Sequence, residues 1–224
     1  MTFNTIGSSS KGNCYLIDYL MIDVGLPYKD IKEYIHYVNF VLLSHIHGDH
    51  FNKTTMRKIV VNHPHITIVC GAFLLDELLN MGICEDRILV VEVGKVYDLD
   101  GFKISPVKAY HDVDNFGYRI MKDHHKHLHI TDTSTLEGIQ AQNYDTATIE
   151  CNHDEIRALE LIEEAKENDT FSHLTGAMNS HLSVQQTIEF CEKNNILELM
   201  PAHIGNSTKE EVLEILRAWN ENHL

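Results

Sequence analysis

The sequence of 224 residues has no long apolar run, no basic cluster and no internal repeat, linker or low-complexity stretch. No segment approaches the roughly 18 consecutive apolar residues that a membrane-spanning helix needs, so we expect no membrane partner. We also expect no signal peptide, because no charged, apolar and small-residue sequence of that kind is visible. A chain of this length without an obvious boundary is expected to form a single domain over residues 1–224.

Cysteine pairing is not expected either. The chain has five cysteines, an odd number, and no two of them have the C-x-x-C spacing of a redox or zinc motif. Unpaired cysteines are typical of reducing compartments. The sequence therefore predicts a cytoplasmic protein without disulfides.

Positive charge is scarce. Lysine and arginine total 18 against 33 acidic residues, for a formal net charge of −15, and the longest basic run is Arg57-Lys58. Nucleic-acid-binding chains neutralise phosphates with a basic stripe, which this chain lacks. A long polyanion would be repelled by this charge, whereas a small anion needs only bound cations and a few hydrogen-bond donors. We therefore expect a small nucleotide substrate more than a nucleic acid.

One loop is rich in metal-ligand side chains. It follows the apolar run Phe40–Leu43, which is predicted to be a buried strand, and precedes a predicted helix. Its four candidate ligands are His45, His47, Asp49 and His50. Neutral imidazole and carboxylate are ligands that Zn²⁺ and similar divalent ions prefer. The first two can turn to one point and the last two to another, so the loop could serve two neighbouring ions.

Three more ligand-type side chains follow predicted strands. They are His111, Asp132 and His203, and each stands at a strand-to-loop transition. Taken singly, each would pass for an ordinary loop residue. Together with the first loop they complete two half-sites, and a carboxylate such as Asp132 can bridge two ions because it has two oxygens.

The remaining pattern predicts an α/β fold. One group of strands is predicted at Phe3–Ile6, Cys14–Asp18, Leu20–Ile22, Phe40–Leu43 and Ile66–Cys70. A second group is predicted at Ile88–Val91, Lys95–Leu99, Phe102–Ala109, Phe116–Met121, His127–Thr131, Asp145–Glu150 and Leu197–Met200. Helices are predicted at Ile31–Val38, Lys53–Val61 and Ala72–Asn80, and after caps at Asn152–Glu155, Ser183 and Ser207. Two strand groups with helices outside give layers in the order helix, sheet, sheet, helix.

These motifs make the sequence similar to the metallo-β-lactamase superfamily, whose H-x-H-x-D-H signature is present in the first loop. The resemblance implies the four-layer αββα sandwich and two divalent metal ions, zinc first and manganese as the alternative. It implies one ion held by His45, His47 and His111. It implies another held by Asp49, His50 and His203, with Asp132 and a water bridging the two.

Two further stretches resemble the phosphodiesterase branch of that superfamily. Glu150–Asp154 is similar to the E-x-N-H-D stretch of YycJ-like enzymes, and Ser180–Ser183 to the late histidine motif of YycJ-like enzymes and RNase Z. The resemblance implies that His181 donates a proton to the leaving oxygen while Glu150 holds it, so that Asp49, His181 and Glu150 are the catalytic residues. No inserted arm like that of RNase Z is visible, and in size and motifs the chain is similar to phage anti-Pycsar cyclic-nucleotide phosphodiesterases.

The leading hypothesis is a dinuclear-metal phosphodiesterase of small cyclic nucleotides, with immune evasion of the phage anti-Pycsar type as the biological role that the resemblance suggests. A departing alkoxide benefits from a general acid such as His181 more than a β-lactam or thioester leaving group does. The alternatives are a YycJ-like or RNase Z-like nuclease, a non-catalytic metal-binding sensor, and a lactonase or thioesterase. We also expect a homodimer.

Four residues are assigned to the surroundings of the metals or to a substrate loop: Asp23, Ser9, Asn13 and His153. Asp23 either orients a ligand histidine or caps a strand end, and His153 lies either near the metals or in the first turn of a helix. The glycine-flanked segment 7–13 is either an anion-binding loop or a plain hairpin turn. The histidines at 124, 125, 127 and 129 are predicted to be surface residues.

Overall fold

A computed structural model describes residues 1–223, so that Leu224 of the predicted domain lies outside the described residues. The strands are β1 Phe3–Gly7, β2 Cys14–Ile17, β3 Leu20–Ile22, β4 Phe40–Leu42, β5 Thr67–Cys70, β6 Ile88–Val90, β7 Tyr97–Leu99, β8 Phe102–Tyr110, β9 Asp114–Lys122, β10 His125–Ile130, β11 Thr146–Glu150 and β12 Glu198–Ala202. The helices are α1 Tyr28–Ile31, α2 Lys53–Asn62, α3 Leu75–Asn80, α4 Glu155–Glu167, α5 Leu174–Ser180, α6 Val184–Asn194 and α7 Lys209–His223. Short 3₁₀ turns lie at Ile35–Tyr37, Ala72–Leu74 and Glu85–Arg87.

The chain divides into two compact units. The first contains Met1–Lys108 and Val113–His125, and the second contains Ala109–Asp112 and the chain from Lys126 onward. The first unit contains β1–β7, β9 and α1–α3, and the second contains β11, β12 and α4–α7. Strand β8 has its last two residues in the second unit, and β10 has its first residue in the first. The predicted α/β class with two sheets is confirmed.

In the first unit, β1 to β6 form a sheet in sequence order. Strands β1, β2 and β3 are antiparallel, while β3, β4, β5 and β6 are parallel. The register aligns Ile22 of β3 with Leu42 of β4 and Val69 of β5. The loops that follow these three strands therefore leave the same edge of the sheet, next to one another. Apolar residues of the sheet and of α2, such as Val41 and Ile59, are fully buried in one core.

In the second unit, β10, β11 and β12 are parallel neighbours. Ile130 aligns with Ile149, and Ile149 aligns with Pro201. Because parallel strands end at the same edge, the residues after β10 and at the ends of β11 and β12 are brought together there. Helix α6 begins as the sequence predicted, with a capping box at Ser183. Helix α4 begins later than the cap predicted over Asn152–Glu155, because Asp154 and not Asn152 is its N-cap and accepts the Arg157 N–H.

Several local predictions are wrong. The helix predicted over Ile31–Val38 is instead α1, which ends at Ile31, and a separate 3₁₀ turn at Ile35–Tyr37. Both ends of the predicted helix are nevertheless buried, because a helix and a 3₁₀ turn in succession keep the same apolar residues inward. The helix α5 was not predicted. Leu159, predicted to face inward from α4, is 50% exposed.

The predicted surface location of the histidine-rich strand is also wrong for two of its four histidines. His127 and His129 are buried at 0% and 1% exposure, while His124 is exposed and His125 partly so. β10 has its last four residues buried on both faces, so histidines that alternate with Leu128 and the following isoleucine have no exposed face. The Nδ1 atom of His127 is 2.8 Å from the Thr146 hydroxyl, which gives the buried ring a polar partner.

All five cysteines are free, as predicted. Within residues 1–223, no helix combines the length and the apolar character that crossing a membrane requires.

Candidate metal and catalytic site

The loop over residues 44–50, here called the donor loop, begins two residues after the end of β4. His45 Nε2 and His47 Nδ1 are 3.1 Å apart. Two histidine nitrogens bound to one tetrahedral zinc, each at 2.0–2.1 Å, would be about 3.3 Å apart. The two rings therefore have the spacing of a shared metal ion.

Asp23, immediately after β3, holds the donor loop in place. Its carboxylate accepts the Ser44 N–H at 2.8 Å and the Ser44 O–H at 2.7 Å, and the same carboxylate is 2.7 Å from His50 Nδ1. Burial alone would raise the pKa of Asp23, but His50, His45 and the Ser44 N–H outweigh it, and the pKa is lowered. A charged Asp23 keeps the proton of His50 on Nδ1, so that Nε2 carries the lone pair that a metal needs. The predicted orienting contact is present.

The segment 7–13 joins β1 to β2 and is tied to the donor loop. The Asn13 N–H donates to the Asp49 carbonyl at 2.7 Å, and the Asn13 amide nitrogen lies 2.8 Å from His50 Nε2 and 3.1 Å from the Ser9 carbonyl. Asp49 Oδ2 is 3.7 Å from His50 Nε2. Asn13 thus contacts the donor loop, and Ser9 contacts Asn13 within the segment.

Gly25 is a site residue that the sequence did not reveal. A Cβ atom at this position would lie 1.7 Å from the Asp49 carbonyl oxygen, so no other residue allows the two backbones to approach this closely. The sequence signal for this close approach was the glycine of Asp23-Val24-Gly25, but a glycine after a strand is equally typical of an ordinary turn.

The second donor set lies at the strand edge of the second unit. The donor atoms of Asp132, Glu150, His181 and His203 all lie within 4.8 Å of one another. Asp132 Oδ1 is in direct contact with His203 Nδ1. Burial opposes protonation of His203, but the carboxylates of Asp132 and Glu150 outweigh it and raise its pKa to about 9. Nitrogen and carboxylate donors this close together suit a divalent ion of the zinc or manganese type.

The backbone at the donors is unusual. Asp23, Asp132 and His203 adopt the left-handed conformation, with φ of 59°, 52° and 50°. Side chains other than glycine adopt it at a cost, although Asp and His do so more readily than most. Such residues concentrate at functional sites, where the surrounding structure holds them in place.

His181 and Glu150 form the pair that the sequence predicted. His181 Nδ1 is 2.8 Å from Glu150 Oε2 and 3.3 Å from Asp132 Oδ1. The fully buried Glu150 accepts the Thr133 N–H at 2.6 Å through its other oxygen. Burial opposes protonation of the imidazole, but the two carboxylates outweigh it and raise the pKa of His181 to about 10. The ring is therefore held with a proton on Nδ1, and Nε2 is available to carry the second.

Thr133, next to Asp132, is a site residue that the sequence did not reveal. Its N–H fixes Glu150, and its hydroxyl accepts the Tyr110 N–H at 2.9 Å. Tyr110 precedes His111, whose ring centroid is 5.3 Å from that of His181.

His153 lies outside the four-residue donor set. It precedes the N-cap of α4, so it is not in the first turn of that helix, and its backbone bridges to Ser183. The ring is 2% exposed, its Nδ1 has no hydrogen-bond partner, and burial lowers its pKa, so the imidazole is neutral.

A model described as the beta-lactamase superfamily domain matches residues 23–204. YhfI from Bacillus subtilis, a metallo-beta-lactamase fold protein, is 16% identical, with a TM-score of 0.75 over 99% of this chain and 92% of its own. The short form of human tRNase Z is 14% identical, with a TM-score of 0.69 over 91% of this chain and 92% of its own. Zinc-bound PqqB from Methylobacterium extorquens is 11% identical, with a TM-score of 0.74 over 97% of this chain and 95% of its own. No curated protein matches the chain.

At such low identities the solved structures show a shared fold, while the family match covers most of the chain. It includes the donor loop, Asp132, Glu150, His181 and His203. The predicted sandwich fold and the superfamily are thereby confirmed. The chain belongs to the beta-lactamase superfamily and, with a candidate metal site, is a metal-dependent hydrolase.

Proposed function

We propose that the protein is a dinuclear-metal phosphodiesterase that hydrolyses small cyclic nucleotides. The observation that carries this proposal is the pair of His181 and Glu150, 2.8 Å apart beside Asp132. A hydrolase that expels a stable leaving group has little use for an imidazole with a retained proton. A hydrolase that expels an alkoxide needs one.

The chain's own residues supply the proton and its position. Divalent ions, when bound, provide a nucleophile at neutral pH and neutralise charge on the phosphoryl oxygens. Glu150 accepts the Nδ1 proton of His181 and so fixes the ring, while Thr133 fixes Glu150. As the water oxygen bonds to phosphorus and the ester P–O bond breaks, the His181 Nε2 proton passes to the departing oxygen. The products are a ring-opened nucleoside monophosphate and, after proton uptake, the resting enzyme.

The ligands proposed are those that the family resemblance assigns: His45, His47, Asp49, His50, His111, Asp132 and His203. Zinc is the favoured metal because the donors are mostly imidazoles, and a zinc-bound protein has the same fold. Manganese is the alternative.

The size of the substrate follows from charge. The net charge of −15 and the absence of a basic run longer than two residues disfavour a long polyanion. A cyclic mononucleotide carries one phosphate, which the ions alone can neutralise. The homodimer, the cytoplasmic setting and the immune-evasion role stay predictions from the sequence.

A nuclease is the second candidate, favoured by the fold that the chain shares with human tRNase Z. The same acid and the same ions would serve an RNA or DNA phosphodiester. Only the electrostatic argument separates the two substrates.

The deciding experiment is hydrolysis of a panel by the metal-loaded protein. The panel holds cyclic mononucleotides, cyclic dinucleotides, single-stranded DNA, a tRNA precursor, a lactone and a β-lactam, and Asp132→Ala serves as the inactive control. We expect turnover of cyclic mononucleotides. Rapid cleavage of nucleic acid with every cyclic nucleotide intact would favour the nuclease over the cyclic-nucleotide phosphodiesterase. Turnover of the lactone or the β-lactam alone would contradict both proposals.

A further inference from the structure

The first unit contains a cavity of about 400 Å³ to which neither the metals nor the general acid assigns a role. We call it the aromatic slot and define it by Phe73, Val91, Glu92, Val93, Asp114 and Phe116. Its walls are therefore two phenyl rings and two valines, with two carboxylates among them.

The two rings are held in a fixed arrangement. The centroids of Phe73 and Phe116 are 5.0 Å apart with an interplanar angle of 80°. A Cβ on Gly71 would lie 2.2 Å from a ring carbon of Phe73 and 2.7 Å from one of Phe116, so only glycine leaves room for both. Both rings are partly exposed, and they therefore present apolar surface to the cavity.

The slot is adjacent to the donor loop. The Phe116 N–H donates to the Ser44 carbonyl at 3.1 Å, and Ser44 immediately precedes His45. Gly71 follows β5, the strand next to β4, which feeds the donor loop. Phe116 is thus hydrogen-bonded through its backbone to the residue that precedes a proposed metal ligand.

The charges decide which part of a nucleotide fits. Asp114 and Glu92 are exposed carboxylates, and Glu92 is paired with Lys95 at 2.8 Å. Lys108 is the cation that also lines the cavity. An anionic phosphate gains little in a cavity whose acidic groups outnumber its basic one, whereas a neutral heteroaromatic ring can stack on phenyl faces. A carboxylate can also accept N–H donors from a base, as glutamate and aspartate do from the amino group of cytosine.

We propose that the aromatic slot is the nucleobase subsite of the enzyme, with Phe73 and Phe116 as the stacking surface. Asp114 favours bases that present N–H donors in parallel, guanine above all. This inference rests on the proposed function where it is tested by hydrolysis of cyclic nucleotides. Its test by guanosine binding does not depend on turnover.

The test compares Phe73→Leu and Phe116→Leu with a matched control, Tyr37→Leu, whose ring is 74% exposed in the same unit. Each metal-loaded variant is assayed on guanosine 3′,5′-cyclic phosphate and on ribose 3′,5′-cyclic phosphate, which lacks the base. The binding of guanosine, which lacks the phosphate, is measured by chemical-shift titration. Metal content and the unfolding midpoint are recorded for every variant.

We expect each slot variant to weaken guanosine binding and to raise KM for the guanosine substrate by about 5- to 150-fold, the range found for loss of one base–aromatic stack. Hydrolysis of the base-free phosphate should stay at the wild-type rate, as should every property of the control. In Asp114→Asn the ratio of kcat/KM for guanosine 3′,5′-cyclic phosphate to that for uridine 3′,5′-cyclic phosphate should fall, because the carboxylate that accepts the base N–H donors is lost.

The outcomes separate the two proposals. If the slot variants slow both cyclic phosphates equally, or leave guanosine binding unchanged, the subsite assignment is wrong while the phosphodiesterase stands. If guanosine binding is lost in the slot variants but no cyclic phosphate is hydrolysed even by the wild type, the subsite is supported and the proposed reaction is wrong.

Discussion

Replacement of His181 by alanine is the sharpest test of the proposed chemistry. The substitution removes the imidazole 2.8 Å from Glu150 and leaves Asp132, His203 and the donor loop unchanged. If His181 donates the proton, the rate on an alkoxide-leaving nucleotide should fall by roughly 10²–10⁴-fold. That range corresponds to about 3–5 kcal/mol of activation free energy. On a p-nitrophenyl ester, whose leaving group needs no proton, the rate should be largely retained.

The structure also predicts a stability change that must be measured separately. Glu150 is fully buried, and without His181 its carboxylate keeps the Thr133 N–H on one oxygen and has His203 Nδ1 only at 3.7 Å from the other. Loss of a partner by a buried polar group costs about 1–3 kcal/mol, so the unfolding midpoint should fall. His173→Ala is the matched control, because this exposed histidine lies at the opposite end of α5, where its Nε2 is 3.0 Å from the Ser207 hydroxyl.

The pH profile gives a second readout. The carboxylates raise the pKa of His181 to about 10, so the acid stays protonated at neutral pH and is lost only as the pH rises through that value. Metal cations bound to Asp132 would offset the negative charge of that carboxylate. The carboxylate of Glu150 would then be the main cause of the raised pKa of His181. In Glu150→Gln the amide oxygen accepts the Thr133 N–H and the NH₂ group faces His181, so the pKa falls. The alkaline decline of the rate should therefore begin at lower pH than in the wild type.

Two results would refute this reasoning. An equal loss on the alkoxide and p-nitrophenyl substrates would remove His181 from the acid role. Loss of one metal ion in His181→Ala would make it a ligand, which the closeness of its donor atom to Asp132 and His203 makes a real alternative.

Three further predictions concern the metals and the substrate. The purified protein should hold about two zinc or manganese ions per chain, and His45→Ala or Asp132→Ala should lose metal and activity together; full activity in chelator without bound metal would contradict this. Asp23→Asn should keep the left-handed backbone but weaken metal binding by about 10- to 100-fold, measured by competition with a chromophoric chelator, because His50 loses its charged partner; unchanged affinity would reduce Asp23 to a structural cap. Cyclic mononucleotides should be cleaved faster than RNA or DNA at physiological salt, and the reverse order would favour the nuclease.

The sequence predicted the strands around the donors well, because the apolar runs were clear and polar loop residues marked where they end. Phe40–Leu43 is a continuous apolar run that ends at a polar loop, and the structure ends the strand one residue earlier. The Ser183 capping box likewise marked the start of α6. Where turn chemistry and apolar pattern agree, the local sequence contains enough information to place the element.

The errors lie where tertiary packing decides. Helix α5 has the sequence Leu-Thr-Gly-Ala-Met-Asn-Ser, in which a glycine and three weak helix formers offset Leu, Ala and Met. Its Leu174 packs with Ala158 and Ile162 in a buried cluster. The buried histidines of β10 could not be recognised because polar residues usually mark an exposed face. Only the structure shows that Thr146 lies within hydrogen-bond distance of His127.

The candidate site was predictable as a list of donors but not as a geometry. The H-x-H-x-D-H spacing identified the donor loop, and the strand ends identified Asp132 and His203. The backbone conformation at Asp23 and the close approach of the Gly25 and Asp49 backbones depend on residues far apart in the sequence, so no local sequence pattern predicts them.

The left-handed backbone at Asp23, Asp132 and His203 has an evolutionary consequence. Glycine adopts this conformation without the steric penalty of a Cβ, so at each of the three positions the backbone conformation alone would cost up to about 1–2 kcal/mol less with glycine. At Asp23 the loss of the two hydrogen bonds from Ser44 would offset that gain. At Asp132 and His203, selection for backbone stability and selection for the proposed ligands therefore act in opposite directions. Glycine or asparagine at these two positions of a homologue would indicate a protein that keeps the fold but no longer binds the metals.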